Sequence, residues 1–170
     1  MIRRILSFCA LGCMAILLLG CTVHYSFTGA SIAPEVQTVS IENFPNLAPL
    51  VNPTLAATFT EKLKDRFMTQ TRLNIVQQNG DFHFSGEITG YSIAPTAIQG
   101  NEQAAMNRFT ITIHAIFTNT TDEKASYDRS FSAYEDFSAN QAFPSVEQQL
   151  TESICDKLVE DIFNAAVANW

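Results

Sequence analysis

The sequence predicts an α+β domain in which a four- to five-stranded mixed or antiparallel sheet carries two helices packed on one face. Three observations lead there. From Arg108 to Thr118, apolar Phe109, Ile111, Ile113, Ala115 and Phe117 alternate with mostly polar neighbours, the period of a strand with one buried face. Leu55, Phe59, Leu63 and Phe67 recur every four residues, and so do Val146, Leu150, Ile154, Leu158 and Ile162, the period of helices with one buried stripe. The order of all such patterns is β-α-β-β-β-β-α, which ends in an antiparallel run closed by a second helix.

Met1 to Gly20 stand apart from this domain. Arg3 and Arg4 precede an apolar run from Ile5 to Leu19, 15 residues long (19 − 5 + 1), short of the roughly 20 that a membrane-spanning helix needs. A cationic start, an apolar middle and a small residue at the end describe a secretory signal. The closing Leu18-Leu19-Gly20-Cys21 resembles the lipobox of bacterial lipoproteins. In that class the thiol of Cys21 takes a diacylglyceryl group, and cleavage makes Cys21 the first residue; an ordinary cleaved signal and an uncleaved anchor are the alternatives. The expected organisation is therefore a lipoprotein signal peptide at 1–20, a lipidated tether at 21–34 and one domain at 35–170.

The whole chain has a formal charge of −7. Without Arg3 and Arg4 it has 10 − 2 = 8 basic residues against 17 acidic ones, or −9. That balance argues against nucleic acid and against general adhesion to anionic lipid, so membrane attachment falls to acyl chains on Cys21. Of the four cysteines, Cys9 and Cys13 leave with the signal and Cys21 is consumed. Cys155 alone remains, and no internal disulfide is expected.

Within the domain, alternate Val39 and Ile41 mark a first strand inside Val36–Phe44. Pro45, Asn46, Pro49 and Asn52 then mark a turn-rich connection. Asn52 as cap and Pro53 in the first turn open the first helix, which runs to about Gln70. Its Lys62, Lys64 and Arg66 flank the apolar stripe from two sides and do not form one patch. Leu73–Val76 reads as a short strand, followed by a turn at Asn79-Gly80. From Asp81 to Tyr91, Phe82, Phe84 and Ile88 share one face while His83, Ser85, Glu87 and Thr89 share the other; Gly86 suits a bulge or a close backbone approach.

Ser92 to Asn107 reads as a long connection of the kind that is either mobile or used for binding. After the Arg108–Thr118 strand, Asn119 to Lys124 make a turn, and Tyr127, Phe131 and Ala133 continue a strand ending near Phe137. Pro144-Ser145 begins the last helix, with Ser145 and Gln148 fitting a capping box. Its end, through Phe163, Ala166, Val167 and Trp170, has little polar surface and is expected to be covered on more than one side, by the domain itself or by a partner.

No catalytic set emerges, and neither a cofactor nor a metal is expected. His24, His83 and His114 occur singly, without metal-ligand spacing. Cys155 lies beside the core stripe of the last helix and reads as a small buried thiol. Glu135 and Asp136 are adjacent on a strand and point to opposite faces. Asp122-Glu123 fall in a turn, as solvated carboxylates do.

With these pieces in order, the chain resembles the lipopolysaccharide-assembly lipoprotein family LptE, in the form found in Bacteroidetes. The resemblance rests on Tyr25-Ser26-Phe27-Thr28-Gly29-Ala30, on Val39-Ser40-Ile41-Glu42-Asn43-Phe44 and on the Gly80–Tyr91 and Arg108–Thr112 segments. It ends in Asp161-Ile162-Phe163-Asn164-Ala165-Ala166-Val167-Ala168-Asn169-Trp170. It implies a non-enzymatic lipoprotein of the outer membrane, facing the periplasm. Such a protein plugs the lumen of the barrel LptD and helps deliver lipopolysaccharide to the outer leaflet. Lipopolysaccharide phosphates would favour clustered cations, in which this acidic domain is sparse; Arg108, Lys124 and Arg129, near expected strand ends, are the candidates for that contact. The alternative is a periplasmic-facing lipoprotein that binds a small ligand or envelope polymer without a barrel, through the Ser92–Asn107 loop and the wet sheet face.

Overall fold

A computed structural model describes residues 32–50, 52–96 and 105–167. The signal segment, Cys21, the tether as far as Ser31, the middle of the Ser92–Asn107 connection and Trp170 lie outside the described residues. Five strands and two helices follow one another as β1 (Thr38–Ile41), α1 (Leu55–Gln70), β2 (Asn74–Val76), β3 (Phe82–Pro95), β4 (Met106–Asn119), β5 (Tyr127–Ser138) and α2 (Phe143–Val167), with a short 3-10 turn at Glu123–Ala125. The sheet order is β2-β1-β3-β4-β5. β1 runs parallel to both neighbours, whereas β3, β4 and β5 form an antiparallel meander. The fold is α+β with a mixed sheet.

Alternation decides the two faces of the sheet. Phe82, Phe84, Ile88, Phe109, Ile111, Ile113 and Phe117 all turn inward and are buried beneath the helices. Leu55, Phe59, Leu63 and Phe67 of α1 and Ile154, Leu158 and Ile162 of α2 meet them with no side chain left in water. Phe67 sits where the layers join, 5.1 Å from the Phe84 ring and 5.0 Å from that of Phe163. Emptying such a site (Phe67→Ala) costs about 3–5 kcal/mol. Ile162, Phe163 and Val167 are buried against the domain itself.

Both helices start elsewhere than expected. α1 begins at Leu55, and Asn52 organises the turn before it, its Oδ1 accepting from the Thr54 N–H (3.0 Å) and hydroxyl (2.8 Å). α2 begins at Phe143, because that ring packs 5.0 Å from Phe109 and 5.7 Å from Phe137. Ser145 is then inside the helix, its hydroxyl donating to the Ala142 carbonyl (2.7 Å), so the capping box with Gln148 does not form. The Ser92–Asn107 connection is also shorter than expected, since β3 and β4 stay paired out to Pro95 and Asn107.

Gly86 and the bulge are separate features. The register shifts between Ile88 and Gly90, which makes Thr89 the extra residue. Gly86 instead provides a close approach, with φ of 151° and a position where a Cβ would lie 2.1 Å from the His114 carbonyl oxygen. Past the bulge the parity of β3 inverts, and Tyr91 points inward against Phe109, ring centroids 4.7 Å apart.

Candidate interaction surface

The same alternation that buries one face of β3–β5 dresses the other in hydroxyls and charges. No element among the described residues covers that outer face. Across it, the hydroxyls of Thr112 and Ser132 lie 2.6 Å apart, and His114 Nε2 meets the Asp128 carboxylate. His83 bridges to β1, with Nδ1 2.8 Å from the Ser40 hydroxyl and Nε2 3.3 Å from Glu42. Near the end of the hairpin, Arg108 clamps Asp136 with two hydrogen bonds of 2.8 and 2.9 Å and lies 3.6 Å above the Tyr134 ring. The guanidinium holds the Asp136 carboxyl below the usual carboxylate range, and the carboxylate in turn raises Arg108.

The three candidate cations do not converge. Arg108 lies on the outer face near the start of β4 and is engaged as described. Lys124 lies exposed in the turn beyond Asn119, eleven strand residues further on, or about 36 Å at the usual rise. Arg129 pairs in register with inward-facing Ala115, and its guanidinium stacks on Tyr127 (4.8 Å) and Phe131 (4.6 Å) on the helix side of the sheet. The cations of α1 are spread as their helical angles require: Lys62 pairs with Asp156 and Arg66 with Glu160 on α2, while Lys64 pairs with Glu61.

Glu135 and Asp136 part to opposite faces. Glu135 accepts from Ser153 and from Lys157 (3.0 Å), which lower its carboxyl, Ser153 most. Cys155 is buried, and burial pushes its thiol up to about 12. Among the described residues no group of three or more His, Cys, Asp or Glu could hold a metal ion. No described helix is long and apolar enough to cross a membrane.

One feature escaped the sequence. A cleft of about 570 Å³ opens between the first turns of α1 and α2, lined by Asn52, Thr54, Thr58, Pro144, Glu147 and Thr151 among others. Behind it the Tyr91 hydroxyl donates to Glu147 Oε1 (2.5 Å), which also accepts from Asn52 Nδ2 (2.8 Å). Burial and the Glu147 carboxylate push the Tyr91 phenol up to about 12. These residues come from three distant parts of the chain, and no local pattern connects them.

Residues 36–166 match the family LptE, described as lipopolysaccharide-assembly. The chain belongs to the LptE family. LptE proteins are envelope-associated assembly lipoproteins without catalytic function. Solved structures share the fold of this chain at low identity. A minor lipoprotein from Acinetobacter baumannii is 15% identical with a TM-score of 0.53, over 79% of this chain and 94% of that one. A protein from Chlamydia trachomatis is 9% identical with a TM-score of 0.53, over 79% of this chain and 98% of the other. One from Xanthomonas campestris is 8% identical with a TM-score of 0.51, over 81% and 90%. At such identities the likeness is one of fold alone. No curated protein matches the sequence.

Proposed function

We propose that this chain is an outer-membrane lipoprotein, held by acylated Cys21 and facing the periplasm. In this reading it plugs the lumen of the LptD barrel, assists assembly of that barrel and helps pass lipopolysaccharide to the outer leaflet. The observation that carries the reading is the LptE match across residues 36–166.

Physical features support it. β3 and β4 are 14 residues each, about 45 Å at the usual rise, longer than the roughly 30 Å hydrocarbon core that a barrel spans. The outer face of the meander carries Thr110, Thr112 and His114 on β4 and Ser132 on β5, groups that exchange hydrogen bonds with water or a polar wall at little cost. Lipopolysaccharide contact is assigned to Arg108, Lys124 and Arg129 as separate points. Lys124 is the most available, since Arg108 and Arg129 are already stacked on aromatic rings.

The test is affinity purification of the tagged, lipidated chain after gentle crosslinking in its own membrane. A stoichiometric large outer-membrane barrel is expected in the eluate. Recovery as a free monomer, with crosslinks only to soluble envelope proteins, would overturn the reading.

A further inference from the structure

The two edges of the sheet are built differently. β2 has three residues, whereas β5 has twelve, paired with β4 without a register shift and containing neither proline nor glycine. Shortening, bulges and proline are the usual devices that blunt an exposed edge, and β5 has none of them. The Ala139 N–H donates to the Ala105 carbonyl (2.9 Å), which sets the parity of the β4–β5 ladder. Alternate residues from Phe137 back to Tyr127 therefore spend their backbone groups on β4. Asp128, Ser130, Ser132, Tyr134 and Asp136 turn theirs to the free edge, and all five residues are exposed. Of these groups the Tyr134 carbonyl alone has a partner among the described residues, Lys157 Nζ at 3.0 Å. We propose that β5 accepts an extended, basic segment of a partner protein as a sixth strand. The inference does not rest on the barrel reading, because the edge is free whether or not the domain plugs a lumen.

The ground beside the edge decides the chemistry of that segment. A groove of about 550 Å³ separates β5 from α2, lined by Ala133, Glu135, Lys157, Glu160 and Asp161 among others. Lys157 answers Glu135 at 3.0 Å and Arg66 lies 3.9 Å from Glu160, but Asp161 has no cation within salt-bridge reach among the described residues. In an added strand, residues opposite Ser132 and Tyr134 exchange backbone hydrogen bonds with β5. The alternate residues, opposite Ala133 and Glu135, send their side chains toward α2. Ala133 is small and leaves room there, so a Lys or Arg at those positions reaches Asp161 and Glu160. Main-chain bonds supply affinity and the alternate side chains supply selectivity, as in other strand additions. A second copy of the chain is a poor occupant. Pairing β5 with itself about Ser132 sets Asp128 opposite Asp136 twice, and like charges directly opposite repel.

The experiment is fluorescence anisotropy with the full lipidated chain in a neutral detergent. The probe is a labelled seven-residue peptide that alternates threonine with lysine. It is expected to bind in the micromolar range, and the same peptide with glutamate for lysine at least tenfold more weakly. Two further peptides keep the charge and carry backbone N-methyl groups, one on every threonine and one on every lysine. Threonine N–H groups face β5 when the lysines face α2, so methylation there is expected to cost at least tenfold, about one hydrogen bond or more. Methylation on lysine is expected to cost less than threefold. Ser132→Pro removes an edge donor at a position where an edge strand tolerates proline, and is expected to abolish binding with the circular dichroism spectrum kept. Asp161→Asn, on the exposed side of α2, is expected to weaken the lysine peptide about threefold and gives a second reading if the proline variant folds poorly. Equal affinity of the two methylated peptides would show charge attraction without strand pairing and overturn the proposal. So would preference for the glutamate peptide, or self-association of the chain that Ser132→Pro removes.

Discussion

Asp81 concentrates three hydrogen bonds on one oxygen: its Oδ2 accepts from the Gln37 N–H, the Thr38 N–H and the Thr38 hydroxyl, each at 2.9 Å. Its own N–H donates to that same hydroxyl at 3.0 Å, so the turn into β3 is fastened to the start of β1. The Gln37 bond first, then those from Thr38, hold the carboxyl below its ordinary value of 3.8. With the folded value depressed, the stabilisation is complete above the ordinary value and is lost as pH falls through the depressed one. Asp81→Asn is expected to lower the melting temperature at pH 7. It is also expected to flatten the acid side of a melting-temperature profile; an unchanged profile by circular dichroism would refute the role. None of this was readable beforehand, since the partners of Asp81 lie 43 and 44 residues away.

At the scale of elements, both helical stripes were legible because each stripe residue answers to one local period. Leu55, Phe59, Leu63 and Phe67 are all fully buried, as are Ile154, Leu158 and Ile162. The helix starts were less legible, because Phe143 is drawn in by rings on β4 and β5 that no local pattern names. Gly86 was readable as a special position, but the bulge was not, since Thr89 is an ordinary strand residue. That unseen bulge matters more than its size suggests: it inverts the parity of β3 and brings Tyr91 to Glu147, making the cleft invisible to alternation alone. Gly86→Ala would place a methyl 2.1 Å from the His114 oxygen and 2.7 Å from Phe44, with φ at 151°. It is expected to cost about 1–3 kcal/mol of backbone strain, plus the clash. Urea unfolding measures this, and a loss below about 0.5 kcal/mol would contradict the geometry.

For the whole molecule, charge and anchor point the same way. An acidic domain has no general attraction to an anionic bilayer, and no described helix can cross one. In the proposed reading the membrane bond rests on Cys21, at the end of the lipobox-like sequence. Cys21→Ser is expected to abolish palmitate labelling and to leave unprocessed precursor; normal maturation with label retained would exclude the assignment. The candidate cations show where sequence reading stops. Arg108, Lys124 and Arg129 all fall near strand ends in the sequence, but side-chain parity and strand length scatter them over two faces and both ends of the sheet. Only register reveals that.

The placement of β1 has a consequence for the order of assembly. Its ladder joins Val39 to Phe82, closing a span of 43 residues (82 − 39), whereas the β3–β5 meander closes through neighbouring turns. Long closures are slow, so the four residues of β1 are expected to join after the meander has formed. Hydrogen exchange at Val39–Ile41 is then expected to run ahead of that at Ile111 and Ile113; equal protection would argue for simultaneous closure. The described strand nearest the proposed lipid anchor is then expected to be the last piece of the sheet to lock.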